Sequence, residues 1–502
     1  MLFMKFLSHL NVKGILFTVI LVAVALRCLM PAYLVIHQKP YRKYMISSSA
    51  TWDMLAMSVA VAKGEGFHLE YLPYVQKELK LYSPPLNKLQ RQPNDRPFYF
   101  DKGGVGQVIV SSAVFFALNQ VNVPAVQFVQ GVIDSLGCLL IFLILRIFSS
   151  RVVSLLGAAL YAVWPASIFY SYHLMSEAYV PVTLLAAGLF FIKAVQNWRW
   201  QDILFGGVFV GLSFSFRLDN ILVLPFYMAF MLLVGPERWK VRICNAGLVF
   251  LGCVLGLLPF SQMIPQDANK PSNVGVALYN SLAEYPANYK GLRFFHDKSA
   301  TEHGIQKAQE YMGNDAVFDS LYALSQNPMV PGFFRPMKDS HLVTLAYIRE
   351  VIWGKPVLFI SRVISRTIAY FPANPFVGCI AYFWESPRGT STMRNYRFSE
   401  TFQLFKYFDF ILFFSFCGGV WCSRKKTALL SLFCIYLGVL LSHVLLGGGE
   451  VLFRNDQEYI YLDPRYMLGM VTLWPIFIAT FLGKILEVLR VNKPALSEYE
   501  AQ

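Results

Sequence analysis

Charge is what this 502-residue sequence has least of: Lys, Arg, Asp and Glu make up 15% of it, against 56% hydrophobic residues. A soluble enzyme of this length carries nearer a quarter charged residues, so the composition excludes an ordinary soluble core and implies a multispanning membrane protein. Cysteine is poorly placed for cross-links or zinc. Cys28, Cys138, Cys244, Cys253, Cys417, Cys422 and Cys434 lie in apolar runs and Cys379 stands alone, which excludes a disulfide framework. His173, His296, His303 and His341 show no ligand spacing. The chain has no N-x-S/T acceptor, which points to a bacterial inner membrane over the endoplasmic reticulum. It has no internal repeat, and no small-residue cleavage site follows its first apolar run, so that run is read as a retained span.

Ten stretches are long and apolar enough to cross a bilayer: 14–36, 124–146, 152–171, 176–195, 202–217, 219–235, 241–262, 404–422, 427–447 and 465–486. Two more, 104–120 and 355–372, are ambiguous. The net charge of +14 sits mainly in short loops between apolar runs, which is a positive-inside pattern and not a nucleic-acid surface. If 104–120 stays at the interface, Arg146, Arg151, Lys193, Arg199, Arg238, Lys240 and Arg242 all share the side of Lys5 and Lys13. Arg362 and Arg366 give 355–372 one cationic face, as an interfacial helix has. The expectation is therefore an all-α polytopic bundle of about ten spans, both termini cytoplasmic. It divides into an N-terminal module over 1–262 with a first outer loop over 37–123, an outer cap over 263–403, and C-terminal spans with a tail over 404–502.

The charged residues near the outer face each admit two readings. In "SATWDMLAMSVAVAKGEGF" (49–67) Asp53 either sits in the first turn of a helix capped by Ser49 or Thr51, or serves as a base towards a hydroxyl. In "FYFDKGGVGQ" (98–107) Lys102 precedes paired glycines at a helix start, which is either a phosphate cradle or a snorkelling side chain. Glu177 in "YSYHLMSEAYVPVTLL" (170–185) is a mouth-facing acid or a helix cap. Arg217 could pair with Asp219 in the turn "FSFRLDNILVLP" (214–225), and Arg465 opens the last span in "LDPRYMLGM" (462–470). Arg27 and Asp134 fall within the first two spans, where a structural ion pair would suffice. Asp456 and Glu458 could hold a divalent ion, but no D-x-D stands in any outer block.

In their order along the chain these stretches resemble the polytopic GT-C glycosyltransferases, specifically bacterial relatives of protein O-mannosyltransferases and lipid A aminoarabinose transferases. The run 126–185 resembles the family's two spans, basic loop, S-P-like break and S-E. "WDMLAMSVAVAKGEGF" is similar to its first-loop signature and "DKGGVGQVIVSSAVFFAL" to its lysine-led interfacial helix, with Gly103 and Gly104 where Pro-Pro is usual. "FRLDNILVLP" resembles its R-P turn with Leu218 at the proline position, and "DPRYMLGMVTLWP" its E-R-Y motif with Asp463-Pro464 replacing the acid.

The resemblance implies a polyprenyl-phosphate-linked sugar donor at the outer, periplasmic leaflet, with a lipid, glycan or protein acceptor. It implies Asp53 as base, Glu177 positioning acceptor or sugar, and Lys102 with Arg217 or Arg465 on the departing phosphate. Protein cations supply that charge without a metal, so no cofactor is expected. A secondary transporter is the rival from another class, resting on Arg27 and Asp134. An O-antigen polymerase or ligase would differ in using a lipid diphosphate donor.

Overall fold

The computed structural model describes residues 11–37, 49–67, 70–71, 85–91, 104–174, 176–236, 238–261, 400–424, 427–446, 449–454, 457–462 and 472–491, plus isolated positions between 353 and 364. Of the expected cap over 263–403 only 400–403 and those isolated positions are described, the isolated positions being also all that is described of the ambiguous segment 355–372, and Lys102 and Arg465 lie outside the described residues.

The helices are α1 (Val12–Ile36), α2 (Ser49–Ala62), α3 (Val105–Leu118), α4 (Val123–Arg146), α5 (Arg151–Ala162), α6 (Pro165–Tyr172), α7 (Val180–Asn197), α8 (Trp200–Phe216), α9 (Val223–Val234), α10 (Trp239–Ser261), α11 (Glu400–Ser423), α12 (Thr427–Leu446) and α13 (Trp474–Val491). Beside them the described residues include a hairpin of β1 (Gly449–Arg454) and β2 (Gln457–Leu462), antiparallel with Gly449 opposite Leu462, and an isolated antiparallel bridge between Pro85 and Gln120. By length and composition, Val12–Leu29, Val123–Arg146, Ser176–Asn197 and Trp239–Phe260 can each cross a membrane, and α5 with α6, bent by 42°, makes a fifth candidate.

Local chemistry sets the boundaries. Asn11 and Asn122 cap α1 and α4 by accepting from Gly14 (3.2 Å) and Ala125 (3.0 Å), and Ser150 caps α5. Pro165 and Pro181 sit in the first turns of α6 and α7, where a missing N–H costs nothing. Pro165 also explains the break after α5, because its ring cannot continue that helix. Short turns reverse the chain throughout α4 to α10. The turns at 147–150, 198–199 and 235–238 therefore fall at one end of the bundle, and those at 173–179 and 217–222 at the other. The basic residues Arg146, Arg151, Arg199, Arg238 and Lys240 belong to the first end.

Helix α8 packs between α7 and α10, α1 against α4 and α5, α13 against α5 and α11, and α12 against α7 and α9. The α8–α10 contact is backbone on backbone. A Cβ added at Gly207 or Gly211 would lie 2.4 Å from the Val249 carbonyl oxygen or 2.2 Å from that of Cys253. One added at Gly252 or Gly256 would lie 2.2 Å from the Leu204 or Val208 carbonyl oxygen. Each helix thus offers a G-x-x-x-G face to the other, and close packing replaces the hydrophobic force that lipid removes. Gly211→Leu has no rotamer that avoids the clash, so α8 and α10 must part. A loss of more than about 3 kcal/mol is expected, read as failure to elute as a single species in mild detergent; a wild-type profile and melting curve would contradict this packing.

Arg27 and Asp134 form a closed lock among α1, α4, α5 and α6. Both are fully buried, with Arg27 Nε 2.5 Å from Asp134 Oδ2. Arg27 Nη1 donates to the carbonyls of Ala23 (3.3 Å) and Ala162 (2.9 Å), and Nη2 to Tyr161 O (3.1 Å) and Ser167 Oγ (2.9 Å). Tyr161 donates to Asp134 Oδ1 at 2.8 Å, and Ser167 donates to Oδ2. A guanidinium has five N–H donors, and each has a protein acceptor here. The pair on which a transporter would depend is thus engaged in holding the α5–α6 bend against the first span.

Candidate functional site

The site is built where two turns meet. The first follows α6. Its last carbonyls are gathered by two amides on α4: Gln127 Nε2 donates to Tyr172 O at 2.6 Å, and Gln130 Nε2 reaches His173 O at 2.6 Å, with Tyr170 O and Ser171 O at 3.1 and 3.3 Å. The last carbonyls of a helix lack partners in its own repeat; Tyr170 O also accepts the His173 N–H at 3.3 Å, and the glutamines complete the cap and fix where the next residues emerge. His173 is part of this packing, its Nδ1 3.0 Å from Phe169 O. The chain then makes a 3-10 turn, Ser176–Ala178, that presents Glu177.

The second turn begins where α8 ends. Arg217 leaves the helix in an extended conformation (φ −146°, ψ 112°), its N–H bonded to Ser213 O at 2.8 Å. Its Nη1 lies 2.5 Å from Glu177 Oε1, the side chains being 11% and 9% exposed. Two residues singled out separately in the sequence thus form one nearly buried ion pair, across 40 positions of chain. The pair expected within the turn, to Asp219, involves a side chain outside the described set. Beside the ion pair, Tyr179 stacks on Phe216 with ring centroids 4.7 Å apart.

Helix α3 starts against this junction. Gly104 donates its N–H to Ser215 O at 3.3 Å and has φ of 139°, a conformation that side chains rarely adopt. A Cβ there would lie 2.9 Å from Met54 Sδ, and one at Gly106 would lie 2.6 Å from the Phe216 ring. The α3 start is therefore pinned between Met54 of α2 and Ser215 and Phe216 of α8. Lys102 is two residues upstream in sequence, outside the described residues, as is Arg465.

Asp53 is partly buried on α2. The helix begins at Ser49 and has no acidic residue in its first turn, so Asp53 stands one turn in and not at the cap. Leu55, Ala56 and Val59 of α2 pack with Val108 and Phe115 of α3 in a small separate core, and Ser112 Oγ of α3 donates to Ser58 O at 3.0 Å. Asp53 thus belongs to a rigid two-helix platform. At 14 residues, α3 spans only about 21 Å, too short for the bilayer and in keeping with an interfacial helix.

Past α2 a charged clasp closes the platform. Lys63 Nζ donates to Leu89 O at 2.8 Å, Tyr71 to Glu65 at 2.7 Å, and Arg91 Nε to Glu65 at 3.1 Å. Burial alone would raise the Glu65 carboxyl, but the hydrogen bonds from Tyr71 and Arg91 and the Lys63 charge hold it below the usual carboxylate range. A depressed pKa means the clasp contributes stability above the unfolded value of about 4.3 and loses it as pH falls through the lower folded value. Hydrogen exchange over 63–71, corrected for intrinsic rate, should stay slow down to about pH 4 and accelerate below it. In Glu65→Gln it should be fast throughout; protection independent of both pH and this carboxylate would remove the clasp.

Among the described residues no group of three His, Cys, Asp or Glu side chains could hold a metal ion. Gln127, Gln130, Tyr179 and Phe216 were not among the candidates read from the sequence. The glutamines' signal is a pair of amides three apart on an otherwise apolar helix. The aromatic stack carries none, because Tyr and Phe are frequent throughout.

Residues 111–265 match the family model of dolichyl-phosphate-mannose-protein mannosyltransferase. That segment contains the 126–185 run on which the sequence resemblance rests, and both Glu177 and Arg217. No curated protein matches the chain. Among solved structures it is similar to the Archaeoglobus fulgidus oligosaccharyltransferase in the apo form, at 13% identity and TM-score 0.48, covering 98% of this chain and 52% of that one. The archaeal oligosaccharyltransferase AglB from Archaeoglobus fulgidus, in complex with an inhibitory peptide and a dolichol-phosphate, gives 13% identity, TM-score 0.44 and coverage of 96% and 52%. ArnT from Cupriavidus metallidurans in the apo state gives 11% identity, TM-score 0.33 and coverage of 84% and 76%. The chain spans about half the length of the archaeal enzymes it matches.

Proposed function

We propose that this chain is a membrane glycosyltransferase that moves a sugar from a polyprenyl-phosphate donor to an acceptor hydroxyl at the outer face of a bacterial inner membrane. The observation that carries this reading is the match of 111–265 to a lipid-phosphate-sugar transferase family, over a segment that includes both members of the Glu177–Arg217 pair.

Asp53 takes the proton from the acceptor O–H as that oxygen bonds to the anomeric carbon. The bond from that carbon to the phosphate oxygen breaks, and its electron pair leaves with the polyprenyl phosphate. The leaving phosphate gains a negative charge, which Arg217, Lys102 and Arg465 are placed in the sequence to meet. Glu177 holds Arg217 in place and positions sugar or acceptor. The acceptor is a lipid, a glycan or a protein. Deletion of the gene should cause a lipid-linked sugar to accumulate, identified by mass spectrometry of the membrane lipids; an unchanged pool would sink the reading.

Orientation follows from charge. The turns rich in Arg and Lys lie at one end of α4 to α10 and the Glu177 and Arg217 turns at the other, and basic loops stay in the cytoplasm. Both termini are then cytoplasmic. Reporter fusions after Arg151, Arg199 and Lys240 should report cytoplasm, and fusions near Asp53 and Asn314 the exterior. A cytoplasmic signal at Asp53 would separate the base from an outer-leaflet donor.

A further inference from the structure

Several buried polar atoms among the described residues have no protein partner, and two of them, on Tyr179 and Gln107, belong to segments that meet at Phe216, the residue before Arg217. Tyr179 is 2% exposed, follows Glu177 by two residues and stacks on Phe216, the residue before Arg217. Its ring therefore joins the same two turns as the ion pair, yet its hydroxyl makes no hydrogen bond. The Phe216 ring also abuts Gly106, and the next residue, Gln107, is fully buried. Gln107 Nε2 donates to Ser111 Oγ at 3.2 Å, while its Oε1 has no partner.

Buried polar atoms are nearly always satisfied, so unpartnered ones on two segments that both abut Phe216 call for a reason. Their chemistry narrows it. A phosphate wants cations and N–H donors, which Arg217 offers. A phenol that can donate or accept, with an amide oxygen that accepts, suits neutral groups that do both. Sugar hydroxyls are such groups. We propose that Tyr179 and Gln107 read the hydroxyls of the sugar on the donor and so set which sugar is accepted. This rests on the reading of the chain as a lipid-linked-sugar transferase, and it divides the site into a cationic part for the phosphate and an uncharged part for the sugar.

Tyr179→Phe keeps the stack and removes only the hydroxyl. The test uses the full chain in phospholipid nanodiscs. Binding of bare polyprenyl phosphate is compared with binding of the same lipid phosphate bearing mannose, glucose, galactose or N-acetylglucosamine. The wild type should prefer at least one sugar-bearing lipid to the bare one. Tyr179→Phe should weaken that preference about three- to tenfold, the value of one neutral hydrogen bond, with bare-lipid binding and melting temperature unchanged. Gln107→Met, of similar volume, should act alike. The inference is overturned if both variants keep the preference, if no sugar on the panel is preferred, or if Tyr179→Phe weakens the bare lipid equally. A wild type that binds no polyprenyl phosphate at all would bring down the donor reading as well.

Discussion

Asp53→Asn is expected to fold, insert and lose transfer by roughly a hundredfold or more, because an amide has no affinity for the proton that a base must take. Asn serves a helix cap about as well as Asp does, so a capping role predicts almost no effect. The structure already weakens that role, since α2 starts at Ser49 and Asp53 lies past its first turn. The surrounding platform of Leu55, Ala56 and Val59 against Val108 and Phe115 is apolar and does not depend on the carboxylate. Transfer is compared at equal amounts of protein of equal melting temperature. An Asn variant with near-wild-type turnover would pass the base to another acid, with Glu177 the next to test.

Arg217→Met is expected to fail in a different way, through stability as well as chemistry. Its partner carboxylate is 9% exposed, and leaving one charge of such a pair unpaired costs about 3–5 kcal/mol. Glu177→Gln should cost a similar amount. The double variant Glu177→Gln/Arg217→Met removes both charges and should recover most of the melting temperature, as replaced buried pairs generally do. It should not recover transfer, because the leaving phosphate then lacks a cation and the sugar its positioning acid. Recovery of both together would make the pair a structural strut joining two turns.

Much of the bundle was legible in the sequence because membrane spans leave a strong signal. Asn122, Ser150, Pro165 and Pro181 mark helix starts with side-chain chemistry that needs no tertiary context. Charge placement reads 104–120 as an interfacial segment, and the helix found there, α3, is 14 residues long. The bond from Arg217 to Glu177 was not legible. Sequence proximity suggested Asp219, whose side chain lies outside the described residues; the Glu177 contact spans 40 positions and depends on the extended backbone at Arg217 and on how α8 packs on α7, which no local pattern shows. Nor was the role of Gly104 evident. Its left-handed φ and its contacts with Met54 and Ser215 make it the joint between α2, α3 and α8, while the phosphate-cradle reading of the paired glycines also needs Lys102 and Gly103, which lie outside the described residues. Trp198 closes α7 with φ of 50°, a conformation that nothing in a bulky aromatic residue would suggest.

The account turns on which bond of the donor is broken. The most direct measurement is mass-spectrometric identification of the lipid released when the full chain, reconstituted in vesicles with an acceptor-bearing membrane extract, is given sugar-loaded polyprenyl phosphate or polyprenyl diphosphate. The account predicts release of polyprenyl phosphate from the monophosphate donor, matched by sugar appearing on the acceptor and absent with Asp53→Asn. Release of polyprenyl diphosphate would contradict it in favour of a polymerase or ligase, and an intact donor that has merely changed sides would contradict it in favour of a transporter.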